Sequence, residues 1–105
     1  ALMSEMARAL SALLVAEPEQ MILIGGHTDN VPIKNARFDS NWELSAARAV
    51  AVARVLIAAG LPPERVTAAG FGEHHPRGAN DDEASRRRNR RIEVLVVPVR
   101  AVSSR

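Results

Sequence analysis

One segment of the chain carries both a start signal and a stop signal for a long helix, and the neighbouring elements must be arranged around it. Ser40 and Glu43 stand in the capping-box relation, which predicts a helix with Ser40 as its N-cap. We expect the helix to run to about Ala59 and to end at Gly60 as its C′ residue, because Pro62-Pro63 cannot continue it. Alanine and valine dominate the residues between, so the helix is expected to be largely buried.

Short apolar runs on both sides of this helix predict two β-strands. Met21 to Ile24 is a continuous apolar run, typical of a strand that is buried on both faces. Gly25-Gly26 is expected to end that strand. Arg65 to Ala69 is the second strand candidate. A strand, a helix and a strand in this order fit a right-handed parallel crossover.

The remaining sequence predicts two more helices and a last strand. Residues 2–16 place apolar side chains on one helical stripe, and Glu17-Pro18-Glu19 ends that helix. Asp81-Asp82-Glu83 stand at the head of a short helix, where negative charge suits the helix dipole. Ile92 to Val99 is a β-branched run that predicts a final strand, in which Pro98 favours an edge or an end. The tail beyond it is expected to be frayed.

The composition predicts a single domain over residues 1–105, with its core in about 1–98 and a tail at 99–105. The chain has no cysteine, which excludes disulfides and thiolate catalysis. No apolar run approaches the ~20 residues that a membrane span needs. Because the first residue is not methionine, we expect a mature piece or an excised domain whose anchor or export signal lies outside it.

Two opposite charges stand where rigid elements can aim them. Asp29 follows the first predicted strand, and Arg48 lies two turns into the long helix. Such a pair can form a receptor for a ligand that carries both an ammonium and a carboxylate, because arginine forks two N–H groups onto a carboxylate. An internal salt bridge between Asp29 and Arg48, which only orients the loop, explains the same residues equally well.

The arginine-rich stretch at residues 86–91 raises the question of nucleic-acid binding. The net charge is only +2, and aromatic residues make up 3% of the chain, too few for a base-stacking surface. The neighbouring acids at 81–83 compensate the cluster. The sequence therefore predicts no nucleic-acid partner.

The sequence offers no pattern for a metal site or a catalytic centre. His74 and His75 are adjacent and point to opposite sides of an extended chain, and His27 is expected to fix the turn after the first strand through hydrogen bonds. Ser45 lies within a predicted helix, and no Gly-x-Ser-x-Gly elbow occurs. We therefore predict no metal, no cofactor, no catalytic residue and no enzymatic activity.

Four motifs in a fixed order carry a family resemblance. They are Gly26-His27-Thr28-Asp29, Asn41-x-x-Leu44-Ser45-x-x-Arg48-Ala49, Gly70-Phe71-Gly72-Glu73 and Asn89-Arg90-Arg91-Ile92-Glu93. Together they resemble the OmpA C-terminal-like peptidoglycan-binding domain over roughly residues 1–98. The resemblance implies an α/β fold (an α+β sandwich) with a mixed sheet and helices packed on one face. The strand that precedes the first helix in this family is expected to be absent, and Ser85 stands where the family has glycine.

Within that family, the stretch Ser40–Ser45 and the long loop Asn30–Asp39 resemble the MotB type. This resemblance implies a periplasmic, inner-membrane-anchored stator subunit that tethers the flagellar motor to the cell wall in motility and chemotaxis. It also implies a homodimer, a channel partner reached through segments outside this chain, and no direct membrane contact of this fragment. The alternatives are a wall-tethering domain of an outer-membrane protein or lipoprotein and, more distantly, a cell-wall hydrolase.

The resemblance also implies a set of ligand contacts to peptidoglycan. Asp29 would hold the ammonium, and Arg48 the carboxylate, of the diaminopimelate side chain in the stem peptide. Thr28 and Asn41 would contact the peptide backbone, although Asn41 can instead cap the helix. Arg90 would face the ligand site, unless it is a solvated member of the arginine cluster.

Overall fold

The computed structural model describes residues 2–102, in which three helices alternate with three strands. In chain order these elements are α1 (Leu2–Ala16), β1 (Gln20–His27), α2 (Asn41–Ala58), β2 (Val66–Gly72), α3 (Glu83–Asn89) and β3 (Arg91–Pro98). Short 3₁₀ turns at Pro63–Arg65 and Val99–Ala101 precede β2 and follow β3.

The strands form one mixed sheet in the order β2-β1-β3. β1 pairs in parallel with β2, and α2 connects them, so the predicted parallel crossover is confirmed. β1 pairs antiparallel with β3, so that Ile24 lies between Ala68 and Val94. The predicted α/β fold with a mixed sheet is confirmed. β3 is an edge strand that ends at Pro98, as predicted.

The core lies between α1, α2 and the face of the sheet that carries Ile22 and Ile24. Both isoleucines are fully buried, together with Leu14 of α1 and Leu56 of α2. The buried residues of α2 follow a helical stripe: Asn41, Ser45, Ala49, Ala53 and Leu56. The prediction that this helix is largely buried was wrong, because its outer side leaves Trp42, Val50 and Val55 exposed.

The predicted ends of α2 are confirmed. The Ser40 side chain accepts a hydrogen bond from the backbone N–H of Trp42, which satisfies one of the unpaired donors at the helix start. The helix ends with Ala59 as its C-cap, and Gly60 follows at φ 125°, a left-handed backbone conformation that glycine adopts readily.

The expectation that Gly25-Gly26 ends the first strand was wrong. Both glycines continue β1, and the strand reaches His27. A Cβ on Gly26 would overlap the backbone carbonyl oxygen of Ser45 in α2. Glycine is therefore required here because helix and sheet approach closely, and the pair does not mark a turn.

The observed boundaries of the other strands also differ from the predicted ones. β2 begins at Val66 and runs to Gly72, whereas the predicted strand ended at Ala69. Gly70 repeats the constraint at Gly26, because a Cβ there would lie 2.7 Å from the backbone nitrogen of Ala46. The first turn of the predicted frayed tail is a 3₁₀ turn whose Val99 N–H bonds the carbonyl of Glu19, and residues 103–105 lie outside the described part of the chain.

Candidate functional site

An open cavity of about 350 Å³ lies where the loop after β1 meets the first half of α2 and the α3 region. All five of the predicted site residues line it, and the full lining is Thr28, Asp29, Val31, Pro32, Ile33, Asn41, Leu44, Arg48, Glu83, Arg86 and Arg90. The volume falls within the usual range for small-molecule sites.

The structure fixes Asp29 through both of its carboxylate oxygens. Asp29 lies two residues beyond the end of β1. Its Oδ1 accepts a hydrogen bond from the N–H of Val31 at 3.0 Å, and its Oδ2 accepts one from Arg90 Nη1 at 2.6 Å. The side chain is 11% exposed, so the carboxylate is held at the cavity wall in a single orientation.

The alternative of an internal Asp29–Arg48 salt bridge is wrong. The ion-pair partner of Asp29 is Arg90, from the far end of the chain. Within residues 2–102 the Arg48 side chain has neither a hydrogen bond nor an ion pair, although it is half-buried in the cavity wall. A half-buried guanidinium with no internal partner is available to an anionic ligand.

Arg90 joins the two acids of the cavity. One of its terminal nitrogens bonds Asp29 and the other bonds Glu83. These hydrogen bonds, the one to Glu83 foremost, raise the pKa of Arg90 above its already high value. Arg90 is therefore not a solvated member of the arginine cluster, and it faces the site as the resemblance implied.

Asn41 and Thr28 hold the loop in place. The Asn41 Nδ2 group donates to the carbonyl oxygens of Val31 at 3.1 Å and Asp29 at 3.3 Å, so Asn41 ties the loop to α2 and does not cap the helix. Its amide oxygen accepts no hydrogen bond within the described residues. The Thr28 hydroxyl donates to the carbonyl of Asp29, and its own N–H bonds the carbonyl of Gly72.

Two charged residues and three apolar residues of the cavity lining were not predicted from the sequence. Glu83 and Arg86 line the cavity from α3, and Val31, Pro32 and Ile33 form one side of it. The spacing of residues 83, 86 and 90 could have indicated that Glu83 and Arg86 lie on the same side as Arg90, since positions three and four apart share a helix face. Leu44 also lines the cavity.

His27 lies near this site but has a structural role different from the predicted one. It lies within β1, not in a turn; its Nε2 is 3.2 Å from Glu93 Oε1 and its ring stacks on Phe71. Burial lowers the pKa of His27 below its ordinary 6.5, the cation of Arg91 lowers it further, and Glu93 opposes both effects. Hydrogen bonds from Arg91 and Arg77 in turn hold the pKa of Glu93 at about 2.

We expect the fold to lose stability as the pH falls below about 6.5, because His27 resists protonation when folded. Below that pH the unfolded chain binds more protons than the folded chain, so the free energy of unfolding decreases. Urea unfolding at about pH 7.5 and about pH 5.5, followed by circular dichroism, measures this slope. His27→Gln should reduce the dependence of the free energy of unfolding on pH. His74→Gln, at an exposed histidine, is the control and should leave this dependence as in wild type. An equal pH dependence in wild type and His27→Gln would show that His27 is not its source.

The Ser45 hydroxyl makes two hydrogen bonds within the fold. Ser45 is fully buried; its hydroxyl donates to the carbonyl of Trp42 and accepts from the N–H of Gly72. It thus joins α2 to the end of β2, with no access to a substrate.

A second cavity, of about 470 Å³, lies at the opposite end of the sheet, where β1 begins and β3 ends. Its two charged side chains, Glu19 and Arg100, are exposed, and neither is held by a partner side chain in the described chain. We therefore assign the site to the smaller cavity, where fixed charges converge. Within residues 2–102 no group of three or more potential metal ligands is clustered, and no helix is long and apolar enough to cross a membrane.

Comparisons with known proteins agree with this architecture. The OmpA family profile matches residues 2–90. The chain is 46% identical over 94 residues to Motility protein B of Bacillus subtilis, a match that covers 89% of this chain and 36% of that protein. It is 35% identical over 83 residues to the peptidoglycan-binding protein ArfA of Mycobacterium tuberculosis, covering 79% of this chain and 24% of ArfA.

A solved structure has a similar fold. The periplasmic domain of Helicobacter pylori MotB superposes with a TM-score of 0.80 at 30% identity, covering 91% of this chain and 57% of that one. The chain belongs to the OmpA family. Within that family, the predicted resemblance to the MotB type is confirmed by both the sequence match and the structural match. The chain spans about a third of the length of the B. subtilis relative.

Proposed function

We propose that this chain is a non-catalytic domain that binds peptidoglycan in the periplasm and anchors a membrane complex to the cell wall. The observation that carries the proposal is the cavity lined by a fixed carboxylate, Asp29, and by the guanidinium of Arg48, which has no partner within residues 2–102. The proposed function is also supported by a relative named as a peptidoglycan-binding protein and by a structural neighbour that is a periplasmic domain.

The ligand group we propose is the zwitterionic end of diaminopimelate in the stem peptide. Its ammonium binds Asp29, whose two oxygens offer about four lone-pair positions and have one partner each, so Arg90 need not leave. The amide oxygen of Asn41 is a second acceptor nearby. The carboxylate of the ligand binds Arg48 through paired N–H groups.

The apolar side of the cavity suits the rest of that side chain. Val31, Ile33 and Leu44 line the same cavity as the charged groups, and methylene groups of the ligand can pack there. Lysine would offer the same methylenes and ammonium but no carboxylate, which leaves Arg48 without a partner. Arg48 is therefore the residue that selects diaminopimelate.

In the cell, we propose the role of a flagellar stator subunit. The 46% identity to Motility protein B supports this role. Under this proposal the chain works as a homodimer, an inner-membrane anchor lies in a segment outside it, and the same outside segments reach the channel partner. The domain itself cleaves no bond; the buried, fully hydrogen-bonded Ser45 supports this part of the proposal.

Cosedimentation with purified diaminopimelate-type sacculi tests the wall-binding role. Wild type is expected to pellet with the sacculi, and Asp29→Asn to lose about 10-fold to 100-fold in affinity, the size of a charge-assisted hydrogen bond. Asp39→Asn is the matched control, because Asp39 is exposed in the same loop and does not line the cavity. Equal pelleting of wild type and Asp29→Asn would show that Asp29 holds no ligand.

A further inference from the structure

The charges in the cavity wall are not balanced. Three arginines and two carboxylates line it, and Arg90 engages both carboxylates. Arg48 has no internal partner within the described residues. One further cation, Arg86, remains to be explained.

Arg86 is held only loosely by its neighbours. Its Nε is 3.5 Å from Glu83 Oε1, and its Nη1 is 3.4 Å from the carbonyl oxygen of Asn80. Both distances are at the long end for a hydrogen bond. The closer partner of Glu83 is Arg90, so Glu83 does not neutralise Arg86 alone. Only 28% of the Arg86 side chain is exposed, so the side chain is partly desolvated in the cavity wall.

Within residues 2–102, the other acids near α3 form no ion pair with Arg86. Asp82 accepts from the N–H of Ser85 as the helix N-cap, and Asp81 accepts from the Ser85 hydroxyl. Glu73 contacts Asn41 and does not line the cavity. Within residues 2–102, Glu83 is the only carboxylate within ion-pair distance of Arg86.

The cavity also has more room than one zwitterionic group needs. Its volume of about 350 Å³ equals roughly a dozen water molecules at ~30 Å³ each. An ammonium, a carboxylate and the carbon that joins them amount to five heavy atoms. A second polar group of the same ligand can therefore enter the space.

We propose that Arg86 binds a second carboxylate of the same peptide, next to the zwitterionic group held by Asp29 and Arg48. This inference rests on the proposed function. The ligand class is a peptide that places one ammonium and two of its carboxylates in the cavity, which would bring the net charge of the occupied cavity to zero. In a stem peptide the second carboxylate is either the α-carboxylate of the γ-linked glutamate or the carboxylate at the peptide C-terminus.

Calorimetric titration with the tetrapeptide L-Ala-γ-D-Glu-meso-diaminopimelate-D-Ala tests the inference and distinguishes the two sources. One amidated form blocks the glutamate α-carboxylate, and another blocks the C-terminal carboxylate. Wild type is expected to bind one of the two amidated peptides about tenfold more weakly than the free acid, because one charge-assisted hydrogen bond is lost. Arg86→Gln should bind the free and amidated forms with the same affinity.

Arg87→Gln is the matched control, because Arg87 lies on the same helix, is exposed, carries the same charge and does not line the cavity. It should keep the wild-type preference for the free acid. Equal affinity of wild type for all three peptides would overturn the inference, and so would an unchanged preference in Arg86→Gln. A wild type that binds none of the peptides would instead contradict the proposed function itself.

Discussion

Arg48→Ala is expected to weaken binding of a diaminopimelate stem peptide by about 10-fold to 100-fold, because a bidentate charge-assisted contact is lost. The free energy of unfolding should change by less than about 0.5 kcal/mol, since Arg48 has no internal polar partner within residues 2–102. Arg48→Lys should recover only part of the affinity, because an ammonium cannot form the planar fork. Titration calorimetry and urea unfolding measure the two quantities separately.

Arg54→Ala is the control for Arg48→Ala, because Arg54 is an exposed arginine on the same helix. It should leave both affinity and stability unchanged. A loss of stability in Arg48→Ala as large as its loss of binding energy would mean that Arg48 supports the fold, and the ligand role would then be wrong.

Gly26→Ala is expected to destabilise the fold by about 3 kcal/mol or more, a large part of the 5–15 kcal/mol typical of a domain. The new Cβ would overlap the backbone carbonyl of Ser45, and relief requires α2 to move away from the sheet. Because α2 carries Asn41 and Arg48, the binding site would be displaced as well. Urea unfolding followed by the fluorescence of Trp42, the only tryptophan, measures the loss.

Gly25→Ala provides the contrast with Gly26→Ala at the neighbouring position. Its Cβ would lie 2.8 Å from Cε2 of Phe71, a side-chain atom that can move when the ring turns. We expect a clearly smaller loss of stability than for Gly26→Ala. Similar losses in both variants would mean that helix–sheet distance is not the constraint at Gly26.

The sequence predicted elements well where local chemistry determines them. The Ser40 cap and the Gly60 terminus of α2 are local features, and both were located correctly. The end of β1 was missed because glycine has low intrinsic strand preference, whereas the close contact between Gly26 and α2 is a tertiary effect. The burial of α2 was overestimated because apolar content does not reveal which side faces the sheet.

The sequence predicted five of the residues that line the cavity, but it did not predict which of them pair. Asp29 and Arg48 were found from their positions after a strand and within a capped helix, and both line the cavity. The Asp29–Arg90 ion pair joins residues 61 positions apart, and no local pattern encodes such a contact. Glu83 and Arg86 were missed because their relevance depends on where α3 lies relative to the loop after β1.

Under the proposed function, Asp29 and Arg48 together recognise the ammonium and carboxylate of diaminopimelate. The most direct measurement is a calorimetric titration of wild type with two stem peptides that differ only in diaminopimelate or lysine at the third position. We expect the diaminopimelate peptide to bind at least about tenfold more tightly, because only its carboxylate can pair with Arg48. Equal affinities for the two peptides would show that Arg48 does not recognise the carboxylate of diaminopimelate.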